Sequence, residues 1–474
     1  MIAKPRSLTN VVFIYAMGTF SSKVISFVLV FVITFYLTRK EVGTYDIVIT
    51  TVSLVAPFIY LQLTDAILRW MLHENQDGAI TSKIFTNVFS LLFVSMLFFS
   101  LVYWIVVRFL EIPHKHFIFF ILLAQSVLPL FQIFARGSGK NTLFALSGVV
   151  YSILYTTLTL LFLVLYKFKV EGLLVANAAA AMATSLFIFV KAKHYSSFST
   201  KHIDVEFSKT LLFYSMPLIP NHIAWWLFSS ANRYLVLYFL GLEVSGIWAI
   251  SYKIPTLLTL VSTLFFMAWQ EKALREYSSP NRDNYYTEVL EKYVSLLLGI
   301  IIVLVAASKP ILYCVVQKSF FISWKYSTFL LLAIFFQNLS LFYGVGYFCA
   351  KETKYVLYTT IVGSSVTIVS GIILIPFLAL YGAGIAAGLG FFVMFLVRLR
   401  QTKKYFTIRF PLARTLYMMA CIAVCSALSY SESIIIQFLN NTAALSVAAY
   451  VNIDLIVSKL NDVRQLCRTK FSAT

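Results

Sequence analysis

Apolar segments of about 20 residues recur along the whole chain, separated by short polar stretches. Their apolar positions form nearly continuous runs and lack the apolar-polar alternation of membrane β-strands. A helix needs about 20 such residues to cross a hydrocarbon layer of about 30 Å. The pattern therefore predicts an all-α polytopic membrane protein with about fourteen transmembrane helices. The predicted spans are 11–37, 45–68, 84–107, 117–135, 142–165, 171–190, 211–240, 244–268, 288–308, 326–350, 354–378, 380–400, 411–430 and 434–457.

The composition excludes a soluble protein. Of the 474 residues, 60% are hydrophobic and only 12% are charged, whereas soluble domains contain about 25% charged residues. The longest polar stretch, 191–210, is too short for a separate catalytic domain. We therefore expect the function to lie within the helix bundle, in a transporter and not an enzyme, with no cofactor and no metal site.

The distribution of charge predicts the orientation of the chain. The net charge is +19, from 38 Lys and Arg against 19 Asp and Glu. With the amino terminus in the cytoplasm, 25 of the 38 basic residues lie in cytoplasmic segments, nine lie outside and four lie in or beside spans. Because basic residues favour the cytoplasmic side, both termini are predicted to be cytoplasmic. This bias accounts for much of the positive charge without a nucleic-acid partner.

An internal repeat divides the predicted bundle. The segment Glu41–Tyr45, between the first and second spans, is echoed 202 residues later by Glu243–Trp248, between the seventh and eighth. An even number of helices per repeat gives both halves the same orientation. We expect an N-terminal six-helix lobe at 1–200, a C-terminal six-helix lobe at 201–405, and two extra helices with a basic tail at 406–474.

Basic residues within apolar spans are the first candidates for function, because a lone charge there costs several kcal/mol unless it meets water or a partner. Helical spacing places them on polar stripes that suit a water-filled cavity for a phosphate-bearing ligand. An aromatic ring on such a stripe could also stack on a sugar. The alternatives are a structural ion pair for Lys23, an interfacial position for Arg233 and Lys253, and simple packing for Trp225. The candidate cavity residues are Lys23, Ser26, Asn221, Trp225, Asn232, Arg233 and Lys253.

A second stripe follows the predicted second span, where Asp46, Thr50, Ser53 and Pro57 recur at helical spacing. Pro57 frees a backbone carbonyl, and such breaks often lie beside binding sites. Asp46 and Asp65 are therefore candidates for ion or proton coupling, or for a counter-charge to Lys23. The alternative is that both are hydrated carboxylates near the ends of a span.

Several short motifs, taken together, resemble a known family over residues 7–405. The set matches the Wzx-type polysaccharide-transport flippases of the multidrug/oligosaccharidyl-lipid/polysaccharide (MOP) exporter superfamily. The chain departs from the family pattern by having Asn232 before Arg233, where Asp is usual, and by lacking an Asn pair in the eleventh span. The motifs are Tyr214-Ser215-Met216-Pro217-Leu218-Ile219-Pro220, Asn232-Arg233-Tyr234, Phe239-Leu240-Gly241, Ser245-Gly246-Ile247-Trp248, Tyr252-Lys253-Ile254-Pro255 and Ala268-Trp269-Gln270.

The resemblance implies two lobes around a central cavity that moves polyprenyl-pyrophosphate-linked oligosaccharide across the bacterial cytoplasmic membrane. It implies ion-gradient coupling, and it makes membrane lipid, a polysaccharide polymerase and glycosyltransferases the expected partners. Two other interpretations stay open at this point. One is a drug or cation antiporter of the same superfamily, whose cavity should be acidic. The other is a membrane-embedded glycan polymerase or acyltransferase, which should carry longer outer loops.

Overall fold

The computed structural model describes residues 8–73, 78–194, 197–453 and 457, with the side chains of 8–17, 19, 26, 72, 73 and 267 outside the description. Throughout these residues the regular structure is helical, which confirms the predicted fold class. The helices are α1 (Leu8–Tyr36), α2 (Arg39–Ile59), α3 (Leu63–His73), α4 (Gly78–Phe109), α5 (Lys115–Gly137), α6 (Asn141–Leu160), α7 (Val170–Lys191), α8 (Val205–Ser215), α9 (Ile219–Ser251), α10 (Lys253–Glu276), α11 (Arg282–Val315), α12 (Trp324–Cys349), α13 (Lys354–Thr402), α14 (Leu412–Ser429) and α15 (Ile434–Val451).

Eleven helical stretches in the described residues are long and apolar enough to cross a membrane. The longest, α13, has 49 residues, which is more than twice the length that a bilayer requires. Its backbone is broken at Ala379, with φ 48° and ψ −129°, so it forms two spans that match the predicted 354–378 and 380–400. Gly241, with φ 80°, likewise breaks α9 between the predicted seventh and eighth spans.

The second predicted span, 45–68, differs from the observed helices at both ends. The helix α2 begins earlier, at Arg39, because Thr38 and Glu41 form a reciprocal capping box. It ends at Ile59, two residues after Pro57, and Leu61 and Gln62 then adopt left-handed φ angles of 53° and 51°. Asp46 therefore lies about 10 Å inside a helix and not at its mouth.

The chain divides into two compact units, one of Met1–Leu237 with Gly241–Gly246 and the other of Tyr238–Leu240 with Ile247–Thr474. The first has an apolar core in which Phe85, Leu130 and Phe134 are buried. In the second, Trp269 stacks on Phe342 at a centroid distance of 4.2 Å. The division into 1–200, 201–405 and 406–474 stays a prediction.

Asn87 of α4 fixes the polar connector between α7 and α8. Its amide nitrogen donates to the His202 carbonyl at 2.8 Å, and its amide oxygen accepts from the Asp204 backbone at 2.8 Å. Lys83, one turn earlier, pairs with the Asp204 carboxylate at 2.7 Å. The hydrogen bond from Lys83 lowers the pKa of Asp204, which keeps this contact charged.

The two repeated segments contact each other inside the first unit. Gly43 of the first segment lies against the Leu242 carbonyl, and Gly246 of the second lies against the Arg39 carbonyl. A Cβ atom at either glycine would overlap with these backbone oxygens, which cannot move aside as a side chain can. The close approach explains why both segments carry glycine here.

Replacing either glycine with alanine should open this contact. We expect Gly43→Ala and Gly246→Ala each to destabilise the protein by about 1–3 kcal/mol, as overpacking does, because the obstructing atoms are backbone. The measurement is thermal unfolding of the purified protein in detergent. Gly388→Ala is the matched control, since no atom lies within 4 Å of the Cβ position there. An unchanged melting temperature of the Gly246→Ala variant would show that the two backbones do not approach closely at this glycine.

Candidate functional site

The polar stripe on α2 contacts a polar face of α9 within the first compact unit. Arg233 Nη1 lies 2.8 Å from Asp46 Oδ1 and donates to Thr50 Oγ1 at 2.9 Å. The side chains of Arg233 and Asp46 retain only 24% and 19% of their full exposure. The two charges that stood out in the sequence therefore form one largely buried ion pair.

The backbone carbonyl that Pro57 leaves without a helical donor lies at the same contact. This is the carbonyl of Ser53, four residues earlier, and His222 Nε2 lies 3.5 Å from its oxygen. Trp226 donates its indole N–H to the Thr50 carbonyl at 3.0 Å and to Ser53 Oγ at 3.0 Å. The polar groups of the α2 break are thus bound by the first two turns of α9.

A third contact extends this surface to the neighbouring position on α2. Thr51 Oγ1 and Tyr234 Oη lie 2.6 Å apart, and the ring of Tyr234 lies 5.5 Å from that of Trp226. Aromatic side chains therefore flank the Asp46–Arg233 pair. We call the set Asp46, Thr50, Ser53, His222, Trp226, Arg233 and Tyr234 the α2–α9 site.

A network of neutral polar groups lies on the adjacent side of α2. Tyr45 Oη lies 2.6 Å from Tyr155 Oη and accepts from the Asn177 amide at 3.1 Å. Gln125 donates to the Asn177 amide oxygen at 2.5 Å and to Tyr151 Oη at 3.2 Å. Tyr45 precedes Asp46, so the network fixes α2 where it carries the charged pair.

The remaining candidate residues do not belong to the α2–α9 site. Lys23 on α1 is exposed and belongs to no ion pair among the described residues, so the counter-charge of Asp46 is Arg233 and not Lys23. The Ser26 side chain is outside the described part. Asn221 is half-buried, and Trp225 contacts Phe228 at a ring distance of 6.3 Å, while its neighbour Trp226 contacts α2.

Three further candidates have the following positions. Asn232, which precedes Arg233, is buried. Asp65 is exposed in the first turn of α3 and accepts a hydrogen bond from Gln62 at 2.9 Å. Lys253 begins α10 in the second unit, where it is half-buried.

The family resemblance found in the sequence predicts that Lys23 belongs to a cationic cavity used in glycan export, and substitution of this residue tests that prediction. We expect Lys23→Gln to reduce transport at least tenfold while the protein remains folded, since an exposed side chain contributes little to packing. Lys23→Arg should keep partial transport because it keeps the charge. The measurement is surface-glycan export, with membrane protein level followed in parallel. Full export by Lys23→Gln, or loss of the protein itself, would count against a role of Lys23 in the cavity.

Comparisons with known proteins agree with this architecture. The family model described as "Polysaccharide biosynthesis protein" matches residues 8–270. No curated protein sequence matches the chain at a significant level.

Several solved structures share the fold. The lipid II flippase MurJ, in an inward closed conformation, has a TM-score of 0.67 at 15% identity, over 94% of this chain and 100% of that chain. An outward-facing multidrug resistance MATE family transporter of the MOP superfamily has a TM-score of 0.60 at 14% identity, covering 87% and 96%. A MOP superfamily transporter from Pyrococcus furiosus has a TM-score of 0.58 at 14% identity, covering 84% and 95%.

Proposed function

The chain belongs to the polysaccharide biosynthesis protein family, and from this premise we propose that it is a flippase for lipid-linked oligosaccharides. It moves polyprenyl-pyrophosphate-linked repeat units across the bacterial cytoplasmic membrane for surface polysaccharide synthesis, driven by an ion gradient. The family match confirms the resemblance predicted from the sequence, and the fold is that of MOP superfamily transporters.

The observation that supports this proposal is the ion pair between Asp46 and Arg233. A guanidinium group binds a carboxylate or a phosphate through the same N–H donors. Arg233 therefore exchanges the Asp46 carboxylate for the pyrophosphate of the substrate. This exchange requires another positive charge at Asp46, because an unpaired carboxylate at this depth is costly.

This requirement couples the ion to the substrate. A proton or a metal cation that takes the place of Arg233 beside Asp46 releases Arg233 for the pyrophosphate. Because binding free energies are reciprocal, the substrate must strengthen ion binding by the same factor. Trp226 and Tyr234, which flank the pair, provide aromatic faces for the sugars, and the exposed Lys23 adds a second positive charge.

Reconstituted vesicles test the transport class. We expect the purified protein to move a polyprenyl-pyrophosphate-linked oligosaccharide when a proton or sodium gradient is imposed, and to be indifferent to ATP. The readout is accessibility of a labelled sugar to a lectin added on one side. An organic cation in place of the lipid tests the alternative of a drug antiporter. Cation exchange without lipid movement would refute the proposed substrate.

We also propose that both termini lie in the cytoplasm. A polymerase and glycosyltransferases are the proposed partners on the two sides of the membrane. The proposal includes no nucleic-acid partner. Reporter fusions at residue 474 and within 112–116 should report cytoplasmic and external positions, respectively, because basic residues concentrate on the cytoplasmic side. An external carboxyl terminus would contradict the assigned orientation.

A further inference from the structure

The second compact unit contains a cavity of about 750 Å³ that is separate from the α2–α9 site. It lies where the end of α11, the short 3₁₀ helix Lys318–Ser323, the start of α12, the end of α14 and the start of α15 meet. These ends all belong to the same side of the bundle. Three lysines and one glutamate are the charged residues of its lining, which gives the cavity a positive balance.

Two of the lysines are held by neighbouring groups. Lys309 Nζ donates to the Ser431 carbonyl at 2.7 Å and lies 5.3 Å from the centre of the Trp324 ring. Lys325 Nζ lies 5.7 Å from the centre of the Tyr430 ring. A lysine has three donors, so Lys309 keeps donors for a ligand beyond the one given to Ser431.

The aromatic walls are themselves fixed in position. The ring of Tyr430 lies 4.9 Å from that of Trp324, and its hydroxyl lies 2.9 Å from the Tyr381 hydroxyl. Trp324 is buried, with 5% of its surface exposed. Two of the cavity walls, Trp324 and Tyr430, are therefore packed against neighbouring side chains.

The mouth of the cavity lies beside an apolar surface. Ile434 and Tyr313, which line it, are 83% and 72% exposed, and the adjacent Ile435 is 73% exposed. In a membrane-spanning bundle such side chains contact lipid hydrocarbon. Positive groups thus lie next to a hydrocarbon-facing surface, which is the arrangement that a lipid with an anionic head group requires.

We propose that this cavity binds the phosphate ester of an anionic lipid. Lys309, Lys318 and Lys325 contact the phosphate oxygens as point charges. Glu432 and Gln437, which also line the cavity, accept hydrogen bonds from hydroxyls of the head group. The hydrocarbon chains lie along Ile434 and Tyr313. The site does not depend on the proposed transport function.

The charge distribution of the sequence supports this assignment. Only nine basic residues fall on the predicted outer side, and three of these nine line this one cavity. The bias that favours basic residues in the cytoplasm disfavours such a cluster outside. The single carboxylate of Glu432 does not balance the charges of the three lysines. The phosphate of a bound anionic lipid supplies further negative charge.

Native mass spectrometry of the full-length protein in detergent tests the site. Titration with phosphatidylglycerol should give a bound lipid that survives desolvation, and phosphatidylcholine should be retained at least tenfold less. The triple variant Lys309→Gln, Lys318→Gln, Lys325→Gln should lose retention of phosphatidylglycerol at least tenfold. Because Lys309 also contacts Ser431, the single variant Lys318→Gln, at an exposed position, should show a smaller loss without a packing change.

The matched control is Lys40→Gln, Lys115→Gln, Lys167→Gln, which removes the same charge from the same predicted side outside the cavity. It should bind phosphatidylglycerol like the unaltered protein. Equal loss in both triple variants, equal retention of the two phospholipids, or no retained lipid would each overturn the proposal.

A competition experiment identifies the source of the phosphate. Undecaprenyl phosphate added to the phosphatidylglycerol complex either displaces the bound lipid or leaves it in place. Displacement assigns the cavity to a carrier lipid, and resistance assigns it to bilayer phospholipid. Either result supports a lipid-phosphate site, provided that the lysine variants abolish it.

Discussion

The charge-exchanged double variant of Asp46 and Arg233 should regain the membrane protein level that either single neutral variant loses. It should not regain transport. Asp46→Asn or Arg233→Gln alone leaves one largely buried charge without its partner. Breaking a buried pair costs about 3–5 kcal/mol, and the residual exposure of this pair should keep the loss below that range. We expect each single variant to accumulate poorly and to export less than about one hundredth of the normal glycan, a loss equivalent to about 2.7 kcal/mol.

The double variant Asp46→Arg, Arg233→Asp separates the two roles of the pair. An inverted ion pair keeps α2 and α9 together, so membrane protein level should recover. Transport should not recover, because the guanidinium would then project from α2 and no longer from α9, where the proposed exchange with the pyrophosphate requires it. The measurements are surface glycan, protein level and gradient-driven flipping in vesicles. Recovery of export together with protein level would mean that the pair is only structural.

Lys169→Gln is the control for charge loss at an ion pair. Lys169 lies 3.3 Å from Glu41 and its own side chain is 70% exposed. Glu41, at 17% exposure, keeps its capping hydrogen bonds with Thr38 when the lysine charge is removed, so the loss should stay within about 1 kcal/mol. Removal of the Lys169 charge should leave export and protein level unchanged. A large effect here would show that export responds to any change of charge near α2.

The sequence was sufficient to identify the individual charges of the site but not their pairing. Asp46 and Arg233 were both evident because charges are rare in apolar spans. Their contact joins positions 187 residues apart, and no local pattern specifies which helices pack together. Helical spacing also selected Trp225, whereas Trp226 makes the contact with α2. A helix turns by about 100° per residue, so a one-residue error moves a side chain to a different face.

The neutral network and the buried arginine were missed for different reasons. Gln125 and Asn177 are amides inside apolar spans, and a pattern of charges does not include them. Arg398 lies near the end of the predicted span 380–400, and the basic residues that follow it, Arg400, Lys403 and Lys404, give no sign that it is buried. In the structure it lies inside α13, which continues to Thr402, and only 1% of its surface is exposed. Charge patterns cannot distinguish a basic residue in a loop from one that packs within the last turns of a helix.

The stability of the second unit should depend strongly on the two threonine hydroxyls that Arg398 contacts. Among the described residues its guanidinium forms no ion pair with a carboxylate and donates to neutral oxygens. Its Nε donates to Thr359 Oγ1 at 2.9 Å, Nη1 donates to the Ser340 carbonyl at 3.0 Å, and Nη2 donates to Thr360 Oγ1 at 3.4 Å. Hydrogen bonds to a charged group contribute about 1.5–3 kcal/mol each. We therefore expect Thr359→Val to destabilise the second unit by about that amount, as measured by thermal unfolding in detergent.

Replacing Arg398 with an uncharged residue should cancel the destabilisation that Thr359→Val causes. Arg398→Met keeps much of the volume and removes the cost of burying a cation together with the hydrogen bonds that the cation donates. In the Arg398→Met background, Thr359→Val should cost less than about 1 kcal/mol, because no guanidinium is left without its acceptor. Thr367→Val, which alters a buried threonine on the same helix, is the control and should cost the same in both backgrounds. If the effects of Thr359→Val and Arg398→Met are additive, the arginine does not need the hydroxyl. The other contacts of its guanidinium then suffice to hold it in α13.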